Sequence, residues 1–168
     1  MAFNAAPHFS LMAKTTPATL ILKRSGIVFA LHEYAYNPEA DQRGVQAAEA
    51  LNLPPDCVLK TLMTEIDGKP YCVIIPSDKQ ISMKKLAHAV QGKTAKMMSI
   101  PAAERSTGYH VGGISPFGQK RAVPTLLAQE ALYHPTIYIN AGHRGLLASL
   151  SPQDALTILQ AQTADLLG

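Results

Sequence analysis

An α+β fold, with a mixed β-sheet flanked by helices, is predicted for this 168-residue chain by three observations. Helical segments interrupt pairs of strands instead of alternating with single strands, which disfavours a doubly wound parallel sheet. Asp67-Gly68 joins two apolar runs, a two-residue hairpin signal that sets at least one antiparallel pair. An apolar share of 47% and a charged share of 16% describe a globule able to bury a core, at a length that suits one domain.

The elements follow in order. Residues 1–15 read as a loose lead-in without the charged and apolar blocks of a secretory signal, and residues 16–168 as a single domain. Thr16-Pro17 opens a helix that Gly26 ends. IVFALHEY, 27–34, is β-branched and aromatic with alternation, a strand. GVQAAEALNL, 44–53, has helical spacing and is stopped by Pro54-Pro55. CVLKTLMTEI, 57–66, and KPYCVIIP, 69–76, form the hairpin around Asp67-Gly68.

Ser77-Asp78 caps a helix over ISMKKLAHAVQG, 81–92, which Gly92 terminates. TAKMMSI, 94–100, is a short strand, and PAAERSTG, 101–108, a short helix with proline in its first turn. AVPTLLA, PTIYIN and GLLASLS are strands, and Ser151 caps a terminal helix over 151–167.

Composition excludes several classes. No apolar run approaches the roughly 20 residues of a membrane helix, so a cytoplasmic location and no membrane partner are predicted. Cys57 and Cys72 lie in apolar strands with no Cys-x-x-Cys and no paired His, the pattern of small core residues rather than a zinc site or disulfide framework. His32, His88, His110, His134 and His143 show no ligand spacing, and no metal or other cofactor is expected. There is no G-x-S-x-G elbow and no conspicuous carboxylate pair, so a hydrolase with its own nucleophile is poorly supported. From Lys79 to Arg121, eight cations accompany one acid, Glu104; gathered on one face, that surplus of seven would attract a polyanion.

Three motifs carry candidate chemistry. GYHVGGISPFGQKR, 108–121, is glycine-rich, yet Gly108, Gly112, Gly113 and Gly118 fit neither the dinucleotide fingerprint nor the phosphate loop. What remains is a Gly112-Gly113 pair that lets a ligand approach bare backbone N–H groups, an oxyanion nest or simply a tight connection. Lys60 stands in an otherwise apolar strand, either at a sheet edge with its head in water or aimed into a cleft. INAGHRG, 139–145, adds flexible backbone with basic donors suited to phosphate or ribose.

Taken together, VLKTL around Lys60, RSTGYHVGGISPFGQK from Arg105 to Lys120, and GHRGL from Gly142 to Leu146 resemble the YbaK/EbsC family of trans-editing aminoacyl-tRNA deacylases, particularly its Cys-tRNA(Pro) branch. The likeness runs from about Thr16 to the C-terminus. It implies a barrel-like mixed sheet with flanking helices, shared with the editing domain of bacterial prolyl-tRNA synthetases. It also implies a substrate-assisted reaction, in which the cysteinyl thiol attacks its own ester carbonyl and leaves as a thiolactone.

By position, the resemblance makes Lys60 the holder of the 3′-end phosphate or polar groups, and Gly112, with Gly113, the donor to the aminoacyl carbonyl. Tyr34 and Thr61 would line the pocket. Ile114 and Ser115 of the glycine loop, and Asn140, Gly142 and Arg144 of the second patch, complete the implied substrate-binding set. The partner implied is the acceptor end of an aminoacyl-tRNA, with prolyl-tRNA synthetase as a possible second partner, and not DNA. Three positions depart from the family pattern: Arg43 precedes Gly44 in place of phenylalanine, Asn140 replaces a small hydroxyl residue, and Leu147 stands where an acid is common. These leave open a deacylase for Ala- or Ser-charged tRNA, or a non-catalytic RNA- or anion-binding module.

Overall fold

A computed structural model describes residues 15–168. The predicted lead-in lies, but for its last residue, outside the described residues. The chain runs α1 (Pro17–Ser25), β1 (Ala30–Glu33), α2 (Arg43–Ala50), β2 (Leu59–Ile66), β3 (Lys69–Pro76), α3 (Met83–Ala89), β4 (Ala95–Met97), α4 (Ile100–Thr107), β5 (Thr125–Ala128), β6 (Ile137–His143), β7 (Leu146–Leu150), α5 (Pro152–Leu159) and β8 (Gln162–Ala164). Two 3₁₀ turns, Pro55–Cys57 and Gln129–Tyr133, went unpredicted.

Local chemistry explains most boundaries. Thr16 and Thr19 exchange side-chain and backbone hydrogen bonds in a capping box, and Gly26 ends α1 at φ 75°. Asp67 and Gly68 take φ 53° and 81°, the mirror turn that suits the twist of β2 and β3. Ser151 caps α5 by accepting the Asp154 N–H at 3.1 Å. The cap of α3 is Ser82, which accepts from Lys85 N at 3.1 Å, and not Ser77-Asp78 as the sequence suggested. Ser77 instead donates its hydroxyl to the Pro55 carbonyl at 2.8 Å.

The strands form two sheets: an antiparallel one in the order β1-β7-β6, and a mixed one in the order β4-β2-β3-β5-β8. The predicted mixed α+β architecture stands, but the barrel does not close. Among the described residues the sheets meet through one parallel bridge, Val58 to Tyr138, while their other edges stay unpaired with each other. The near-continuous apolar run of β3 follows from burial on both sides. Cys72 and Ile74 enter the core between the sheets, whereas Val73 and Ile75 pack beneath α3 with Leu86 and Leu166.

The terminal helix is shorter than predicted. Gln160 turns left-handed at φ 50°, and Gln162–Ala164 then pairs in parallel with Leu126–Ala128. The helical pattern continues past Leu159, but the open edge of β5 and a burial site for Leu166, 0% exposed, take the chain instead.

Candidate active site

A cavity of about 470 Å³ opens where the mixed sheet faces the glycine loop. Six of the predicted residues line it: Tyr34, Lys60, Thr61, Gly112, Ile114 and Asn140. Lys60 and Gly112, distant in sequence, therefore face one space.

The floor is β2. Its whole length pairs with β3, but β4 pairs only with Thr64–Ile66, and the parallel bridge to β6 stops at Val58. Alternation along an antiparallel strand turns the main-chain N–H and C=O of Thr61 away from β3, into that gap, where no strand meets them. The Thr61 hydroxyl is also buried without a hydrogen-bond partner among the described residues. A buried polar atom left so is costly unless something binds it.

Lys60 is half-buried and makes no ion pair among the described residues. Burial pulls its ammonium below the ordinary lysine range, and the nearby Asp78 charge partly opposes this. Of the two sequence-level readings of Lys60, the cleft is the one found. Burial raises the Tyr34 phenol, and the neighbouring Tyr36 adds to the effect. Both cysteines are buried as predicted: burial lifts the Cys72 thiol to about 12 and, with the Asp56 charge, raises Cys57 too, so neither is poised as a thiolate.

The glycine turn is held from three sides. Glu104 of α4 accepts the Val111 N–H at 2.9 Å, Arg144 Nε donates to the Val111 carbonyl at 2.9 Å, and Asn140 Nδ2 donates to the Gly112 carbonyl at 3.3 Å. Gly112 sits at φ 92°, and its N–H has no protein partner among the described residues. A Cβ there would run into the Tyr36 hydroxyl and come within 3.2 Å of Arg144 Nε. The bare position therefore serves the packing behind the turn as well as the cavity. A larger side chain would push the turn instead of simply filling the hollow.

The remaining predicted residues lie behind the wall. Gly113 spends its N–H on the His110 carbonyl at 2.8 Å, and a Cβ there would sit 2.8 Å from Arg144 N. Ser115 is fully buried and accepts the Phe117 N–H at 3.1 Å. Gly142 donates to Asn140 Oδ1 at 2.6 Å within the irregular β6–β7 register. Arg144 stacks over Tyr36, 5.6 Å from the ring centre. These four shape the turn and do not line the cavity.

Two features of the site were missed in the sequence. Among the described residues, Asp41 supplies the one carboxylate of the lining. Glu104, the lone acid of the basic span, ties α4 to the turn. Its isolation among cations was the available signal. Leu147, 3% exposed, presents an apolar wall packed on Ala47, Ala48 and Val58. Within the basic span, Lys79, Lys85 and Lys96 pair with Asp78, Asp165 and Glu65, acids outside that span.

The family model described as "Aminoacyl-tRNA editing domain" matches residues 39–158. A protein of Enterococcus faecalis named "Putative Cys-tRNA(Pro)/Cys-tRNA(Cys) deacylase EbsC" is 32% identical over 153 residues, covering 90% of this chain and 92% of its own length. A proline–tRNA ligase of Maridesulfovibrio salexigens is 28% identical over 100 residues, which cover 60% of this chain and 17% of the ligase. The solved structure titled "Crystal structure of a putative trans-editing enzyme for prolyl tRNA synthetase" superposes with a TM-score of 0.78 at 21% identity, over 92% of this chain and 99% of that one, and shares the fold. The family model covers more than half of the chain, and the chain belongs to the aminoacyl-tRNA editing domain family.

Proposed function

We propose that the chain is a trans-editing deacylase that removes cysteine from mischarged tRNA, Cys-tRNA(Pro) first. One observation carries the reading: a half-buried Lys60, without an ion pair among the described residues, shares a cavity with the Gly112 N–H and the edge at Thr61, which have no partner among them. These groups bind and stabilise charge, which suits a substrate that brings its own nucleophile.

In this reading Lys60 holds the phosphate or polar groups of the terminal nucleotide, and Thr61 contacts the ester or sugar. The cysteinyl sulfur forms a bond to the carbonyl carbon while the Gly112 N–H donates to the oxygen that gains charge. The ester bond to the ribose then breaks, the thiol proton passes to the departing ribose oxygen, and the amino acid leaves as a thiolactone. Asp41 accepts the α-ammonium, which the apolar wall at Leu147 does not.

The test is a panel of cysteinyl-, alanyl- and seryl-tRNA(Pro) with cysteinyl-tRNA(Cys), run with and without prolyl-tRNA synthetase. The cysteinyl ester should be lost, with the thiolactone detected by mass. Equal loss of the alanyl or seryl ester would replace the thiol mechanism with a positioned water. Loss of none, with salt-sensitive binding retained, would leave only an RNA-binding module.

A further inference from the structure

A second cleft, of about 640 Å³, lies beside the cavity and shares Met98 with it. Its lining includes Arg105, Ser106, Lys120, Arg121 and Glu65. The cations come from two segments that the backbone ties together: Lys120 N donates to the Thr107 carbonyl at 2.8 Å and Arg121 N to the Ser106 carbonyl at 3.0 Å. Those bonds satisfy the carbonyls at the end of α4, whose partial negative charge would otherwise repel an anion. Arg105 alone would be an ordinary complement to a helix C-terminus, but Lys120 and Arg121 lie outside the helix and converge on the same hollow.

None of the three cations is in an ion pair among the described residues, and the cleft's one carboxylate, Glu65, is already paired with Lys96 at 3.7 Å. The Ser106 hydroxyl is buried there with no partner among the described residues. Three unpaired cations and an orphaned hydroxyl form a site for an oxyanion with several acceptor oxygens. The cleft therefore keeps its positive charge, whereas Lys79, Lys85 and Lys96 of the same span are paired with acids.

We propose that this cleft binds backbone phosphate of the single-stranded RNA leading to the aminoacylated nucleotide. The assignment of the RNA 3′ end rests on the deacylase reading above. Position supports it. α4 runs along both hollows, with Ile100 on the cavity and Arg105 and Ser106 on the cleft, about 8 Å apart at ~1.5 Å per residue. That is comparable to the reach of one extended nucleotide, so a strand whose last base occupies the cavity passes Met98 and lays its preceding phosphates on the cations.

The experiment uses the variant Arg105→Gln, Lys120→Gln, Arg121→Gln, whose exposed side chains leave the core untouched. Two substrates are compared: a cysteinylated acceptor-stem microhelix and the cysteinyl ester of adenosine, which has no upstream phosphate. The variant should raise KM for the microhelix at least tenfold and retain turnover of the adenosine ester. Binding of the uncharged microhelix is read separately. Its log Kd should depend less steeply on log salt by about 1, the share of one or two single-strand phosphates at ~0.7 each. Unchanged KM and salt slope would overturn the assignment, as would an equal loss on both esters. A wild-type protein that binds the microhelix with the steeper slope yet cleaves neither ester would overturn the deacylase reading and support this one.

Discussion

Arg144 reaches across from the β6–β7 turn to donate its Nε–H to the Val111 carbonyl at 2.9 Å, while its guanidinium covers the Tyr36 ring. The contact aims the next peptide, that of Gly112, at the cavity. Arg144→Lys keeps the charge but loses the planar donor and the stack. It should lower kcat by on the order of 10- to 100-fold, since small misplacements of a stabilising donor are costly. Binding of an uncharged acceptor end should be nearly unchanged. A rise in KM at constant kcat would instead make Arg144 a simple substrate contact.

Lys60 gives a pH dependence with a definite sign. Its folded-state pKa is lowered by burial, so the protonated form required for anion binding is lost at a lower pH than for an exposed lysine. Rate above the uncatalysed ester background should fall on the alkaline side before the ordinary lysine range, and Lys60→Arg should move that fall upward. Because burying the ammonium opposes folding below that pKa and the opposition fades as pH rises through it, Lys60→Met should lose activity with no drop in Tm. A destabilised Lys60→Met would show that the side chain is a structural support.

Glu104 titrates the other way. Its bond from the Val111 N–H, with help from His110, holds the carboxyl below its ordinary value. The support is thus complete above the usual carboxylate range and disappears as pH falls through the depressed pKa. Deacylation should decline in that acidic window. Glu104→Gln, which keeps an acceptor oxygen, should flatten the decline, and Glu104→Ala should impose the acid-like rate at neutral pH. A pH profile unaffected by either substitution would remove Glu104 from the positioning of the turn.

Tyr109 anchors the same loop from within the core. Its hydroxyl donates to the Phe117 carbonyl at 2.6 Å, and burial pushes the phenol up to about 12. Tyr109→Phe leaves that carbonyl unpaired and should cost about 1–3 kcal/mol by denaturant unfolding. Unchanged stability would mean that water replaces the hydroxyl.

Local signals made much of this fold readable. Thr16, Gly26, Asp67-Gly68 and Ser151 act through their own backbone geometry, so each marked its boundary in the sequence. The α3 cap was misplaced because Ser77 and Ser82 are equally good caps, and only the Pro55 carbonyl, 22 residues away, claims the first. The end of α5 depends on the open edge of β5, a tertiary fact with no local trace. At the site, residue type and resemblance singled out Lys60, Thr61 and Gly112, which all line one cavity. They could not separate residues that line it from Gly113, Ser115, Gly142 and Arg144, which support it from behind, because facing direction is set by contacts across the chain. Asp41 was invisible for the same reason: it lies in the lead into α2, and only the folded chain brings it to the hollow.

The gap beside Thr61 has one more consequence. A bare sheet margin normally invites another polypeptide to zip onto it, with aggregation as the hazard. Here the margin and the glycine loop line one cavity, which a slim, flat group can enter edge-on. Compounds that imitate a short extended peptide, two or three units long, should therefore plug this enzyme, and longer ones should be turned away at its mouth.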